Sequence, residues 1–305
     1  MFRYQSKNYK DHSIISFQRK KFKIQHQKLH NLKTKNLFLF VFSLAINGIL
    51  FAQQELDIST IKTDSGYFKS FDNIKIYYEV RGEGEPILLI HGFIVNSSNW
   101  KKTELYSDLL KSHFKVITLD LRGNGKSDHP HVADAYANDA EAKDIMGLLK
   151  FLHIGHYKAV GYSRGSIIAA RLLVLDKNLV KGVLGGMGTG FTDPNWDRPR
   201  QIYEALSGKD IAEFEPMKEN IRKNGLDSVA LAFMQLHQPA TMPSALSKID
   251  QPVLIISGDQ DNFSSAEALS KMIRNSKLVS IPGTHNTASS TAAFSAAVIK
   301  FLKEK

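Results

Sequence analysis

Cysteine occurs nowhere in the 305 residues. No disulfide framework exists, and lipid attachment through an N-terminal cysteine is excluded. An exported chain of this kind relies on its core alone, and about 250 residues suffice to bury one. Membrane-length apolar runs are missing too. The segment Leu37–Ala52 (LFLFVFSLAINGILFA) is uncharged but holds only 16 residues, short of the ~20 that a helix needs to cross a bilayer. No methionine lies between Met1 and Met146, so an ordinary internal start does not account for the long N-terminal stretch. Internal repeats and low-complexity segments are absent. Gly125–Lys126–Ser127 copies the end of a phosphate-binding P-loop, but the first glycine such a loop requires falls on Asp120, which argues against nucleotide hydrolysis.

Acidic residues are scarce only at the N-terminus. Residues 1–52 hold ten Lys/Arg against one acid, Asp11, whereas the remainder carries 30 basic and 29 acidic residues. The isoelectric point near 9.5 therefore belongs to the leader, and no nucleic-acid partner is expected. A basic stretch, then Leu37–Ala52, then the polar Gln53–Asp57 reads as a signal peptide cleaved near Ala52, giving an exported protein, periplasmic or secreted. The alternative is an uncleaved signal anchor holding the chain to a membrane through residues 37–52, because the basic region is long and the cleavage site only loosely resembles A-x-A. The expected organisation is a leader over 1–52, one catalytic domain over 53–305, and an insertion over 187–248 within it.

What is present is a regular alternation. Ser65–Asp72 and Lys75–Val80 read as two antiparallel strands joined at Asn73, and Arg81–Glu85 closes them in a Gly-rich turn. Further strands are predicted at PILLI (Pro86–Ile90), FKVITLD (Phe114–Asp120), YKAVG (Tyr157–Gly161), VKGVLGG (Val180–Gly186), PVLIIS (Pro252–Ser257) and KLVSIP (Lys277–Pro282). Helices are predicted around 102–111, 138–152, 166–175, 266–273 and 291–302. This order implies an α/β protein with a mostly parallel, doubly wound sheet covered by helices on both faces. Residues 187–248 interrupt it with several helical stretches and a cluster of Phe214, Met217, Phe233, Met234 and Leu236. An insertion at that point lies over the carboxyl edge of the sheet as a helical cap that excludes water. Its apolar cluster either forms the cap's own core or contacts an acyl or alkyl group.

The chemistry-bearing motif is GYSRG, Gly161–Gly165. It sets Ser163 between two glycines, directly after a predicted strand and directly before a predicted helix. Glycine at both flanks removes Cβ atoms that would clash in a sharp strand-to-helix turn, which leaves the serine hydroxyl exposed as a nucleophile. PVLIIS runs into Gly258–Asp259–Gln260–Asp261, delivering carboxylates to the edge where active sites of open sheets lie. Either Asp259 or Asp261 can steady an imidazolium, unless both merely build an Asp-rich turn. After KLVSIP the loop Gly283–Thr284–His285–Asn286 supplies the base. The chain order Ser163, Asp, His285 matches one of three known triad orders. PILLI ends in His91–Gly92–Phe93, where His91 is read as a brace for the loop or, alternatively, as a catalytic group. His129, His131 and Asp134 have metal-like proximity, but no strand precedes them and no second ligand cluster exists, so no metal or cofactor is expected.

From about Gly66 to Leu302, the segments HGF, DLRGNGKSD (Asp120–Asp128), GYSRG, GDQD and PGTH together resemble the α/β-hydrolase fold family, of the single-domain lipase, esterase and acyl-hydrolase type. The resemblance implies that the acid is Asp261, the last Asp of the G-D-x-D element. It implies that the backbone N–H groups of Phe93 and Arg164 form the oxyanion hole. One departure stands out: the residue after the nucleophile is usually smaller or uncharged, and the Arg164 side chain is expected either to meet an anionic substrate group or to point to solvent. A serine at the elbow argues against the dehalogenase and epoxide-hydrolase branches, which attack with aspartate. The implied function is a serine esterase acting on a small-molecule substrate through an acyl-enzyme. The alternatives are a non-catalytic ligand-binding protein on the same scaffold, or lyase or haloperoxidase-like chemistry with the same triad.

Overall fold

The computed structural model describes residues 57–304, together with scattered helical residues between Lys20 and Lys35. The chain divides into two compact units, Met1–Leu56 and Asp57–Lys305. The segment 37–52 and the expected cleavage point lie outside the described residues.

The second unit is built on one eight-stranded sheet of spatial order β1-β2-β4-β3-β5-β6-β7-β8. Its strands are β1 (Thr63–Lys69), β2 (Lys75–Arg81), β3 (Glu85–Ile90), β4 (Phe114–Leu119), β5 (Tyr157–Tyr162), β6 (Leu179–Gly185), β7 (Val253–Gly258) and β8 (Ser276–Ile281). β1 and β2 pair antiparallel, β2 joins β4 antiparallel, and every pairing from β4 to β8 is parallel. The first strand ends earlier than its hydrophobic pattern suggests. Ser70 N–H bonds the Ile74 carbonyl across a tight turn, and Asn73 takes φ 71°, a left-handed geometry that asparagine tolerates.

The continuous apolar runs are explained by helices on both faces. Along β3, Leu88 and Ile90 face one core while Ile87 and Leu89 face the other, and β7 divides Val253 and Ile255 from Leu254 and Ile256 in the same way. The first core takes α2 (Ala140–Phe151), α3 (Arg164–Leu175) and α8 (Phe263–Met272), and the second takes α1 (Glu104–Lys111) and α9 (Ala292–Lys303). Each fully buried Leu or Ile contributes roughly 1.5–3 kcal/mol. Helix starts follow their caps rather than their apolar periodicity. Thr103 accepts the Tyr106 N–H to open α1, and Asn262 accepts the Ser265 N–H, so that α8 begins at Phe263, three residues before the predicted start.

Between β6 and β7 the chain leaves the sheet and forms α4 (Asp197–Leu206), α5 (Glu215–Lys223), α6 (Ser228–Leu236) and the single turn α7 (Pro243–Leu246). Most of the apolar cluster noted in this insertion packs internally. Phe214 joins Ile202 and Ala205, Met234 joins Ile221 and Tyr136, and Leu236 is exposed, so Met217 is the member that reaches a cavity beside Ser163.

Candidate active site

The site forms where the strand order reverses. The chain moves outward from β3 to β4, then returns to place β5 on the other side of β3, and open α/β sheets leave a crevice at such a switch point. Ser163 follows β5 with φ 54° and ψ −125°, a backbone geometry that costs a non-glycine residue on the order of 1–3 kcal/mol. The surroundings enforce it. Ser163 N–H bonds the Gly185 carbonyl at 2.8 Å, while the Ser166 hydroxyl reaches the carbonyls of Gly161 and Gly185 at 2.9 and 2.7 Å. The flanking glycines are required by contact: a Cβ at Gly165 would lie 2.2 Å from the Ile90 carbonyl oxygen, and one at Gly161 would lie 2.2 Å from that of Gly165.

Three side chains from distant parts of the sequence converge here. His285 Nε2 lies 2.9 Å from Ser163 Oγ, and His285 Nδ1 lies 2.9 Å from Asp261 Oδ2. Asp259, the other carboxylate considered, accepts the Gly283 N–H at 2.9 Å and so ties down the loop that carries the histidine. Tyr162 adds a support that the sequence pattern did not single out. Its hydroxyl donates to the His285 carbonyl at 2.7 Å, and its ring centroid stands 5.7 Å from the imidazole.

His91 acts as a brace, and its hydrogen bonds fix its tautomer. Nε2 accepts the Leu121 N–H at 3.0 Å, so the proton sits on Nδ1, which donates to the Gly92 carbonyl at 2.8 Å. Burial pushes its pKa below the ordinary histidine value and keeps the ring neutral. The consequence falls on the next peptide. Because a trans peptide points its N–H opposite to its C=O, holding the Gly92 carbonyl toward His91 turns the Phe93 N–H the other way. Gly92 itself packs on the nucleophile, since a Cβ there would lie 3.4 Å from that of Ser163. The Phe93 N–H has no backbone partner among the loop contacts, and Arg164 opens α3, whose first N–H groups have no intrahelical acceptor. A helix start beside the hydroxyl also favours negative charge.

The Arg164 side chain corrects the expectation drawn from sequence. It neither points to solvent nor stands free to meet a substrate anion. Both of its terminal nitrogens grip the Glu141 carboxylate, at 2.7 and 2.6 Å, and its Nε donates to Gln238 Oε1 at 2.7 Å. Glu141 on α2 and Gln238 beyond α6 thus tie the elbow to a sheet-covering helix and to the cap. The expected metal-like trio also rearranges. His131 Nε2 and His129 Nδ1 face Asp227 at 2.8 and 3.6 Å, and among the described residues no group of three or more His, Cys, Asp or Glu is placed to hold a metal ion. Asp120 accepts the N–H groups of Ser97 and Lys126, and Arg122 pairs with Asp144, so the DLRGNGKSD segment is tied to neighbouring loops and to α2.

Fold and site together define a hydrolase, and comparison with known proteins supplies the family. A family profile described as the alpha/beta hydrolase fold matches residues 85–222. A Synechocystis sp. protein named as a non-heme chloroperoxidase is 31% identical over 69% of this chain and 87% of its own length. A bifunctional esterase/perhydrolase of Acinetobacter calcoaceticus is 26% identical over 72% of this chain and 91% of its own. Among solved structures, an esterase from Exiguobacterium antarcticum superimposes with a TM-score of 0.66 at 23% identity, covering 79% of this chain and all of that one, a likeness of fold. The chain belongs to the alpha/beta hydrolase fold family.

Proposed function

We propose that the protein is a serine esterase that cleaves a carboxylic ester of a small molecule through an acyl-enzyme. The observation that carries this reading is the unbroken path Asp261–His285–Ser163, with 2.9 Å at each step. His285 takes the Ser163 proton as Oγ bonds to the ester carbonyl carbon, and Asp261 steadies the imidazolium. The N–H groups of Phe93 and Arg164 hold the developing oxyanion. Collapse breaks the carbon–oxygen bond to the alcohol, which leaves with the proton from His285, and water then releases the acid by the same route.

Ser163→Ala is expected to lower turnover of a p-nitrophenyl short-chain ester by about 10⁴-fold or more while the thermal midpoint changes little. Undiminished turnover would refute the assignment. Stoichiometric labelling of Ser163 by a fluorophosphonate separates this reading from a non-catalytic binding protein, because labelling needs an activated hydroxyl. A second reading draws on the esterase/perhydrolase and chloroperoxidase names of the relatives. In it hydrogen peroxide replaces water as acyl acceptor and the product is a peracid, which a peracid assay with ester and peroxide measures directly.

A further inference from the structure

Unexplained backbone strain among the described residues gathers at one place. Seven non-glycine residues take a left-handed φ, and five of them, Asn73, His113, Asn138, Asp139 and His153, are of the types that tolerate it. The other two are Ser163 and Ile94, each at φ 54°. Ser163 is the elbow itself. Ile94 directly follows Phe93, the first expected oxyanion donor. A β-branched residue is a true outlier in this region of backbone space, and such a conformation persists only where the surroundings enforce it.

Two sets of contacts enforce it. The loop is pinned at both ends, since His91 Nδ1 donates to the Gly92 carbonyl at 2.8 Å and the buried Ser97 donates its N–H to Asp120 Oδ1 at 2.8 Å. Residues 93–96 must therefore turn between two fixed points, and Phe93 and Ile94 form the turn. The second set comes from the cap. Ile94, half-buried, packs together with Phe93 on the apolar cluster of Tyr136, Ile221, Ala230, Leu231 and Met234, most of it supplied by α5 and α6. Rotation about the Ile94 N–Cα bond swings Phe93 relative to the Ile94 side chain. With that side chain seated in the cap and Ser97 tied down, relaxing φ would displace Phe93.

We propose that Ile94 is a positioning residue: clamped by the cap, its left-handed backbone keeps the Phe93 N–H aimed at the developing oxyanion. This rests on the serine-esterase reading. The cap then does more than cover a cavity, because its packing completes the oxyanion hole. A donor acts on the oxyanion only within about 2.7–3.1 Å, so a small displacement of Phe93 weakens transition-state binding while the ester's ground-state contacts stay nearly the same. The effect belongs in kcat rather than in KM.

The test separates strain from packing by removing the side chain in two ways. Ile94→Ala deletes the cap anchor but keeps a Cβ that disfavours positive φ, whereas Ile94→Gly deletes still more apolar surface yet adopts positive φ freely. With p-nitrophenyl butyrate and the full chain, Ile94→Ala is expected to lower kcat by roughly ten- to thirtyfold with KM within about twofold of the parent. Ile94→Gly is expected to exceed Ile94→Ala in kcat by about fivefold or more, an order that lost packing alone would not produce. Its thermal midpoint should also equal or exceed that of Ile94→Ala, the reverse of the usual order, in which glycine's freer unfolded chain makes it the less stable. Ile94→Asn and Ile94→Ser repeat the comparison, one tolerating this φ and one not, should either of the first pair fail to fold. Equal kcat in the alanine and glycine variants, an alanine variant at the parent kcat, or a loss carried by KM alone overturns the inference, while parent turnover leaves the esterase reading standing. Absence of both p-nitrophenyl butyrate turnover and fluorophosphonate labelling in the parent overturns the two together.

Discussion

His91 hydrogen-bonds the loop beside Ser163 rather than Ser163 itself, and its effect on stability is measurable. The native ring accepts one buried N–H and donates to one carbonyl, an arrangement that only the neutral form can make. Burial depresses its pKa from the ordinary 6.5. The sign follows: above 6.5 neither state binds the proton, whereas below it the unfolded chain does and the native ring does not, so stability falls with pH until the depressed native value is reached. One proton corresponds to about 1.4 kcal/mol per pH unit. Urea unfolding at about pH 7.5 and pH 5.5 is expected to show His91→Gln losing less stability over that interval than the parent, with other histidines cancelling in the difference. Equal losses would mean that this ring is not held neutral. The same variant leaves the Phe93 amide less firmly aimed, so a lowered kcat with KM nearly constant is expected for p-nitrophenyl butyrate.

At the scale of elements, β5, the elbow and α3 form one device, and its parts differ in how openly the sequence announces them. The strand, the glycines and the serine are legible because their signal is local: an apolar run, two small residues at fixed offsets, then a helical pattern. Asp261 and His285 are legible because each follows a strand at the same sheet edge. The Arg164–Glu141 pair is not, since Glu141 sits 23 residues earlier in a helix where acids usually face water, and only the packing of α2 against α3 buries it. Tyr162 hides for a similar reason, as one more aromatic residue at the end of a buried strand. The ion pair carries a prediction. With Arg164 and Glu141 side chains only 4% and 5% exposed, Glu141→Ala strands a buried guanidinium, and a loss of about 3–5 kcal/mol in denaturant unfolding is expected. The loss should exceed that from Glu213→Ala, whose partner Arg198 is more than half exposed, where pairs contribute about 0–1 kcal/mol.

Across the whole molecule charge is unevenly spread, with residues 53–305 nearly balanced and residues 1–52 strongly basic. Basic residues crowd positions 1–52, and the apolar stretch 37–52 that follows them is too short for an ordinary membrane helix but of the length a signal peptidase substrate presents. Among the described residues no helix is long and apolar enough to cross a membrane. From the basic stretch and the short apolar run that follows it we propose export, with the protein acting beyond the cytoplasmic membrane after cleavage near Ala52. Expressed in a bacterium with a general secretory pathway, the active protein is expected in the periplasm or medium, with Gln53 or a near neighbour as its N-terminus by Edman or mass analysis. Removal of the leader also removes most of the net charge, so the mature chain at neutral pH should pass a cation-exchange column that retains the full-length form. An active, membrane-sedimenting chain whose N-terminus is still Met1 would instead identify residues 37–52 as an anchor.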